Sequence, residues 1–230
     1  MSRSARGRAA GPARGNARRS GSASPDAASL LALEEGLRAR GARHIAGIDE
    51  AGRGPLAGPV LAAAVILPPG TFIEGVDDSK RVAPALRERL AVEIRQRALA
   101  CAIGAASSTE VDRFNILRAT HLAMRRAVDR LRVPPDHLIV DGLPVPLLGD
   151  AQTAVVEGDR RVHCIACASI LAKVTRDRLM RRLARHYPGY GWERNAGYGT
   201  AEHREALVRL GPTPHHRRSF APVQYSLELG

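Results

Sequence analysis

Short apolar runs, bounded by glycine, proline and polar residues, recur along the chain after residue 29. Runs of this length and composition predict β-strands, since longer stretches are needed for a helix. The predicted strands are residues 45–49, 58–67, 101–107 and 137–141, with shorter extended segments at 155–156 and 164–165. The run Leu138-Ile139-Val140 is apolar at every position, which is typical of a strand buried on both faces.

Apolar residues elsewhere repeat every three or four positions, which predicts amphipathic α-helices. Five helices are predicted, at residues 29–40, 84–98, 109–131, 168–185 and 201–210. Pro84 suits the first turn of the second helix, and Thr109 is a candidate N-cap for the third. Strands come first and then alternate with helices, so the sequence predicts an α/β fold with a mixed β-sheet flanked by helices. A small helical extension is expected at about 186–230.

The first 29 residues differ from the rest, because they consist mainly of Ser, Arg, Gly and Ala and show no hydrophobic period. We predict that residues 1–29 form a disordered basic tail and that residues 30–230 form one globular domain. Such a tail is either a solvated extension or an additional contact to phosphates that does not depend on base sequence.

Composition narrows the class of protein. Basic residues number 35 against 23 acidic ones, a net charge of +12, which favours a polyanionic partner such as nucleic acid. The apolar content of 44% is sufficient for a core, and three cysteines are too few for a disulfide framework. We find no apolar run long enough to span a bilayer and no secretory signal pattern. The expectation is a cytoplasmic protein without a membrane partner.

The first candidate functional residues are Asp49 and Glu50. They end an apolar strand and precede the glycine loop Gly52-Arg53-Gly54. Burying two adjacent carboxylates is costly unless cations neutralise them, and Mg²⁺ or Mn²⁺ prefers such oxygen ligands. Neighbouring side chains of a regular strand face opposite ways, so both acids serve one site only if the chain bends there. An isolated pair of this kind is more often a solvated turn.

Two further acids strengthen the metal interpretation. Asp141 ends the buried strand at 137–141, and Asp159 follows Gly158 just after the extended segment at 155–156. Each alone is more often structural. Together with Asp49 and Glu50 they could surround two cations about 4 Å apart, the arrangement that clamps the attacking and leaving oxygens in phosphoryl transfer.

The block Gly-Ile-Asp-Glu-Ala-Gly-Arg-Gly at 47–54 resembles the first motif of bacterial ribonuclease HII. The match continues in order through Asp78-Ser79-Lys80, Asn115-Ile116-Leu117, Val140-Asp141-Gly142 and residues 168–177, 187–191, 197–200 and 211–220. The resemblance implies an RNase H-like fold and a metal-dependent endonuclease of replication and repair. It would hydrolyse the RNA strand of RNA–DNA hybrids and cut 5′ of ribonucleotides embedded in duplex DNA, leaving 3′-OH and 5′-phosphate ends.

By position, the resemblance assigns the catalytic acids to Asp49, Glu50, Asp141 and Asp159. The first three are expected to bind the metal, with two Mn²⁺ or Mg²⁺ ions as the cofactor. Asp177 competes with Asp159 for the fourth place, but it lies inside a predicted helix next to an arginine, where a local ion pair is the simpler role.

The resemblance also implies how substrate is held. It places a ribose-reading loop at Gly52, Arg53 and Gly54 and a junction-sensing tyrosine at Tyr198. Glycine allows the backbone to approach a 2′-OH closely, and that hydroxyl distinguishes RNA from DNA. Lys80 is one of only two lysines among the 35 basic residues, and we predict that it contacts a substrate phosphate, since an ammonium and a guanidinium are not interchangeable.

Some interpretations stay open. Lys173, the other lysine, could neutralise the acids or pack structurally. Cys164 and Cys167 have the spacing of a redox or zinc motif, although small buried residues before a helix explain them more simply. Another RNase H-fold phosphotransferase, such as an integrase or resolvase, would share the acids without needing a ribose-reading loop, and a non-catalytic nucleic-acid-binding module would fit the basic charge. We expect a monomer acting on RNA–DNA hybrids and ribonucleotide-containing duplexes.

Overall fold

The computed structural model describes Met1 and residues 26–228, with side chains as far as residue 225. The elements in chain order are α1 (Ala27–Ala39), β1 (Ile45–Ala51), β2 (Val60–Ile66), α2 (Pro84–Arg97), β3 (Ala100–Ala106), α3 (Ser108–Asp129), β4 (His137–Asp141), β5 (Gln152–Val155), α4 (His163–His186), α5 (Trp192–Asn195), α6 (Ala201–Leu210) and α7 (Ala221–Glu228). The disordered tail predicted for residues 1–29 lies mostly outside the described residues. Its last residues are ordered, because Asp26 caps α1 and helix begins at Ala27.

The strands form one five-stranded sheet in the order β3-β2-β1-β4-β5. β2 pairs antiparallel with both β1 and β3, whereas β1, β4 and β5 run parallel. The predicted α/β class with a mixed sheet is therefore confirmed. Ile48 pairs with Val140, so Asp49 and Asp141, one residue further along each strand, lie side by side where these strands end.

Helices cover both faces of the sheet. Successive residues of the central strands point to opposite faces, and both sets of side chains are apolar and buried. Ala63 and Val65 of β2 face a core formed with α2 and α4, whereas Ala62 and Ala64 face a core formed with α3. A third cluster joins Leu56 of the loop after β1 to Met180 and to the C-terminal helices. Helix α4 therefore supports the strand that carries the acids, and the C-terminal helices support the loop that follows.

Two glycines permit close contact between sheet and helices. A Cβ at Gly47 would lie 2.5 Å from the carbonyl oxygen of Cys164, at the start of α4, and a Cβ at Gly104 would lie 2.5 Å from the backbone nitrogen of Ala127 in α3. Ordinary contacts of a Cβ atom begin at about 3.4 Å. The absence of a side chain at these two positions therefore sets how near each helix lies to the sheet.

Several boundaries differ from the sequence prediction. Residues 164–165 were expected to be extended but lie in the first turn of α4, which begins five residues earlier than predicted. A short apolar run fits a buried strand or a buried helix equally well. Thr109 does not cap α3; Ser107 does, in a capping box with Glu110. Hydrogen bonds from Arg126 lower the pKa of Glu110 to about 2.

The cysteines of the Cys-x-x-Cys spacing are packing residues of α4. Cys164 and Cys167 are fully buried, and burial raises the pKa of both thiols well above the ordinary value. Among the residues described, no helix is long and apolar enough to cross a membrane.

Candidate active site at the end of the parallel strands

A cleft of about 340 Å³ opens where β1, β4 and β5 end. The residues that line it are Asp49, Glu50, Ala51, Gly52, Arg53, Gly54, Ser79, Lys80, Asp141, Asp159, Ser169, Lys173, Arg176 and Tyr198. The structure therefore brings every site residue predicted from the sequence into one cleft. Asp177, the alternative fourth acid, is not among these residues.

The four acids belong to three neighbouring elements, namely β1, β4 and the short 3₁₀ turn Gly158–Arg160 that follows β5. Asp49 and Glu50 both belong to β1, which continues to Ala51, so the chain turns after the pair rather than at it. Asp49 is 5% exposed. The Gly158 N–H donates to Asp141 Oδ1 at 2.7 Å, which places the following residue, Asp159, beside Asp141.

Burial and mutual repulsion make these carboxyl groups resist ionisation. Burial, together with Glu50 and Asp141, raises the pKa of Asp49 well above its ordinary value. Burial raises the pKa of Glu50 and of Asp141 as well. The pKa of Asp159 is raised to about 6 by burial and by the nearby carboxylates of Asp78 and Asp141. A divalent cation would remove this repulsion, since its charge favours the ionised carboxylates.

The donor set fits Mg²⁺ or Mn²⁺, which bind carboxylate oxygens. As the side chains stand, no three acidic, histidine or cysteine side chains in the described part of the chain converge closely enough to enclose a metal ion. Glu50 explains part of this, because its carboxylate is turned toward Arg53, with Oε1 3.2 Å from Nη1. Release of that ion pair would free Glu50 to face Asp49 and Asp141.

Two sets of hydrogen bonds hold the Lys80 loop (residues 78–80) beside the acids. The Asp78 carboxylate accepts from the Lys80 N–H at 2.9 Å and from the Arg160 guanidinium at 3.0 Å. The Ser169 hydroxyl donates to that of Ser79 at 2.9 Å and lies near enough to Asp49 to offset part of the rise in the pKa of that carboxyl. Sequence reasoning assigned no role to Ser79 or Ser169, although both stand in motif segments.

Lys173 and Asp177 form a pair of their own. Lys173 Nζ donates to Asp177 Oδ1 at 2.7 Å, and Arg87 lies 3.9 Å from the other carboxylate oxygen. Asp177 is therefore neutralised on the outer side of α4, at the local ion pair that its position in a helix suggested. Lys173 also lines the cleft, and its ammonium is already paired with the Asp177 carboxylate.

The glycine loop (residues 52–54) forms another part of the cleft wall. Gly52 has a φ of +97°, and a Cβ there would lie 2.5 Å from Cδ of Arg176, so both the backbone and the space require glycine. A Cβ at Gly54 would lie 3.6 Å from the Tyr198 ring, which is 45% exposed. The sequence does not indicate that the Arg176 side chain packs behind this loop, because an arginine within an Arg-rich helix ordinarily indicates a solvated surface.

Comparison with known proteins agrees with this geometry. The family model described as Ribonuclease HII matches residues 46–223. The chain is 56% identical over 194 residues to a ribonuclease HII from Ruegeria sp. (strain TM1040), covering 84% of each protein. It is 54% identical over 199 residues to one from Geobacillus kaustophilus, covering 86% of this chain and 76% of that relative.

Solved structures show the same fold. The ribonuclease H2 of Pyrococcus horikoshii superposes with a TM-score of 0.68 at 26% identity, covering 80% of this chain and 97% of that one. An RNase HIII crystallised in complex with Mn²⁺ superposes with a TM-score of 0.67 at 20% identity, covering 81% and 70%. The predicted RNase H-like fold is confirmed. The chain belongs to the ribonuclease HII family and is a hydrolytic endonuclease that cleaves the RNA of RNA–DNA hybrids.

Proposed function

We propose that this enzyme also cuts 5′ of single ribonucleotides embedded in duplex DNA, leaving 3′-OH and 5′-phosphate ends, with two divalent cations held by Asp49, Glu50, Asp141 and Asp159. One observation carries the proposal: the acids share a single cleft with the glycine loop and with Tyr198. The acids alone would suit any RNase H-fold phosphotransferase. Distinguishing a ribose from a deoxyribose requires contact with the 2′-OH, and a glycine loop beside an exposed tyrosine can provide that contact.

The cations, when bound, would stabilise charge on the attacking and leaving oxygens of the phosphodiester. The RNase HIII neighbour is described in complex with Mn²⁺, which supports divalent cation chemistry here. The protein positions the acids: the Glu50 N–H donates to Asp49 Oδ1 at 2.6 Å. Asp141 is fixed by the Gly158 N–H.

Substrate contacts come from the rim of the cleft. Lys80 is exposed, and its ammonium donates to no acceptor in the described residues, so it is free to bind a phosphate. The Arg53 guanidinium is half exposed and would exchange Glu50 for a phosphate as the metal site forms. The Tyr198 ring, which faces Gly54, offers a stacking surface to the sugar and base at the cleavage junction.

We further propose that the enzyme acts as a cytoplasmic monomer in replication and repair. The monomer is what membership of the ribonuclease HII family leads us to expect. The Archaeoglobus fulgidus RNase HII was solved in complex with PCNA.

The decisive test is a DNA duplex carrying one ribonucleotide, incubated with enzyme and Mn²⁺ or Mg²⁺. We expect one cut 5′ of the ribonucleotide, reduced about a thousandfold in Asp49→Asn, since loss of metal-mediated charge stabilisation costs several kcal/mol. Asp150→Asn, an exposed acid outside the cleft, is the matched control and should keep full activity. Cleavage of an all-DNA duplex would indicate a different phosphotransferase, and binding without cutting would indicate a non-catalytic module.

Tyr198→Ala tests ribonucleotide recognition. Loss of one stacking contact should lower cleavage at a single ribonucleotide about tenfold or more, with the thermal melting temperature unchanged. Tyr225→Ala, at an exposed tyrosine of α7 outside the cleft, is the control. Full activity and selectivity in Tyr198→Ala would refute its role.

Lys80→Arg tests the phosphate contact. A guanidinium is broader than an ammonium and presents its donors in a fixed plane, so the phosphate would be held less well and KM for the duplex should rise. Steady-state kinetics measure this directly, and an unchanged turnover and KM would contradict the assignment.

A further inference from the structure

Two buried arginines lie behind the glycine loop. Arg176 of α4 is 1% exposed and Arg217, between α6 and α7, is fully buried. Among residues 26–225, neither guanidinium lies within 4.0 Å of a carboxylate. Burial and the neighbouring Arg176 charge lower the pKa of Arg217 to about 9. Buried charges are costly without such a partner, so their hydrogen bonds must compensate.

The Arg217 side chain directs all of its hydrogen bonds to backbone carbonyls of the segment after β1. Its Nη2 donates to the Gly52 carbonyl at 2.5 Å, its Nη1 to the Arg53 carbonyl at 2.7 Å and its Nε to the Gly58 carbonyl at 3.0 Å. A planar fork with donors on three nitrogens can satisfy three fixed acceptors at once, which a lysine ammonium cannot do in the same plane.

Arg176 completes the attachment of this segment. It donates to the carbonyls of Ala57 and Pro59 at 3.1 Å and to that of Ala196 at 2.9 Å. Ala196 lies two residues before Tyr198, so the same guanidinium connects the stretch just after the glycine loop to the segment that carries the tyrosine.

The carbonyl positions determine where the neighbouring N–H groups point. The peptide bonds of the described residues are all trans, and in a trans peptide the N–H points opposite to the C=O. The Gly52 carbonyl belongs to the peptide of the Arg53 N–H, and the Arg53 carbonyl to that of the Gly54 N–H. Both N–H groups therefore point away from Arg217. Neither donates to an acceptor in the described residues, and both residues line the cleft.

We propose that Arg217 is a positioning residue for ribonucleotide recognition, which holds the carbonyls of Gly52 and Arg53 so that the N–H groups of Arg53 and Gly54 face the 2′-OH and adjacent phosphate of the substrate. The inference rests on the proposed function and adds the residue that determines the selectivity of the enzyme for ribonucleotides. Arg217 itself does not touch the substrate. Its buried charge lies behind both peptides and strengthens their attraction for a negatively polarised group.

The test compares Arg217→Lys with Arg218→Lys, an exposed neighbour whose side chain makes no contact with the cleft. Fluorescence anisotropy, with EDTA to prevent cleavage, measures binding to a duplex with one ribonucleotide and to the matched all-deoxy duplex. We expect wild type and Arg218→Lys to prefer the ribonucleotide duplex. Arg217→Lys should lose about tenfold of that preference, the effect of one or two hydrogen bonds, while affinity for the all-deoxy duplex stays the same.

An unchanged preference in a folded Arg217→Lys protein overturns this inference alone. Absence of any preference in the wild type overturns the proposed function and this inference together, so the two failures are distinguishable. Circular dichroism melting establishes whether Arg217→Lys is folded.

A second measurement needs no variant. In ¹H–¹⁵N spectra of the wild-type protein, the Arg53 and Gly54 amides should shift more with the ribonucleotide duplex than with the all-deoxy duplex. The Gly36 amide, in α1 and outside the cleft, should not respond. Equal shifts of Arg53 and Gly54 with the two duplexes would overturn the inference even if Arg217→Lys does not fold.

Discussion

Gly47→Ala should separate the effect of packing on stability from its effect on catalysis. Gly47 lies in β1 two residues before Asp49, against the first turn of α4. An added Cβ would lie 2.5 Å from the Cys164 carbonyl oxygen and 2.6 Å from the Ile165 nitrogen, against 3.4 Å for an ordinary contact. Both neighbours are backbone atoms that cannot rotate away, so β1 and α4 must separate by about 1 Å.

The size of the effect follows from that displacement. Overpacking of this kind costs about 1–3 kcal/mol of unfolding free energy. For a domain of this size, each kcal/mol lowers the melting temperature by about 2–4 °C. The same separation moves Asp49 away from Ser169, which α4 carries, and a misplacement of about 1 Å in a catalytic group can reduce the rate about a hundredfold.

Gly104→Ala is the matched control, because its Cβ would meet the backbone of α3 at least as closely, with the Ala123 carbonyl oxygen nearest and the Ala127 nitrogen at 2.5 Å. Gly104 lies on β3, at the far edge of the sheet from β4, and does not line the cleft. Calorimetry should show both variants destabilised. Cleavage of the single-ribonucleotide duplex, measured well below both melting temperatures, should fall only in Gly47→Ala. Equal activity losses in the two variants, or full activity in Gly47→Ala, would refute the reasoning.

Two further predictions concern ion pairs outside the acid cluster. Because Arg126 lowers the pKa of Glu110 from 4.5 to about 2, the stabilisation by Glu110 is complete above about pH 4.5 and is lost as the pH falls toward 2. Glu110→Gln should therefore lose about 1 kcal/mol at neutral pH and almost nothing near pH 2, as urea unfolding at both pH values would show; a loss independent of pH would count against this. Asp78→Asn should weaken the attachment of Arg160 and of the Lys80 loop, and raise KM for the duplex several-fold more than it lowers kcat. An unaltered KM would mean that the loop is held without this carboxylate.

The sheet and the acids could be predicted from sequence because their signals are local. The apolar run before Asp141 and the glycines after Glu50 each indicate a strand that ends, and parallel strands bring their ends to the same edge. The resemblance to ribonuclease HII then linked Tyr198 and Lys80 to these acids. The start of α4 was predicted wrongly, since Cys164 and Ile165 give no sign of whether their buried run is helix or strand.

The arginines behind the glycine loop could not be found in this way. Arg176 and Arg217 stand in Arg-rich segments, where exposure is the ordinary expectation. Their partners are backbone carbonyls, which every residue possesses, so side-chain identity does not mark them. The Ser79–Ser169 contact is similar, because it joins residues 90 positions apart and depends on how the loop before α2 folds over α4.

The attachment of the glycine loop to Arg217 has a consequence for biosynthesis. Gly52 and Gly58 precede Arg217 by 165 and 159 residues. All five strands and the four acids leave the ribosome long before it, since domains are synthesised from the N-terminus onward. A nascent chain that has emerged only through α4 already carries every candidate metal ligand but lacks the group that orients its ribose-reading peptides. The residues to which we assign ribonucleotide selectivity, Tyr198 and Arg217, therefore emerge after every candidate metal ligand.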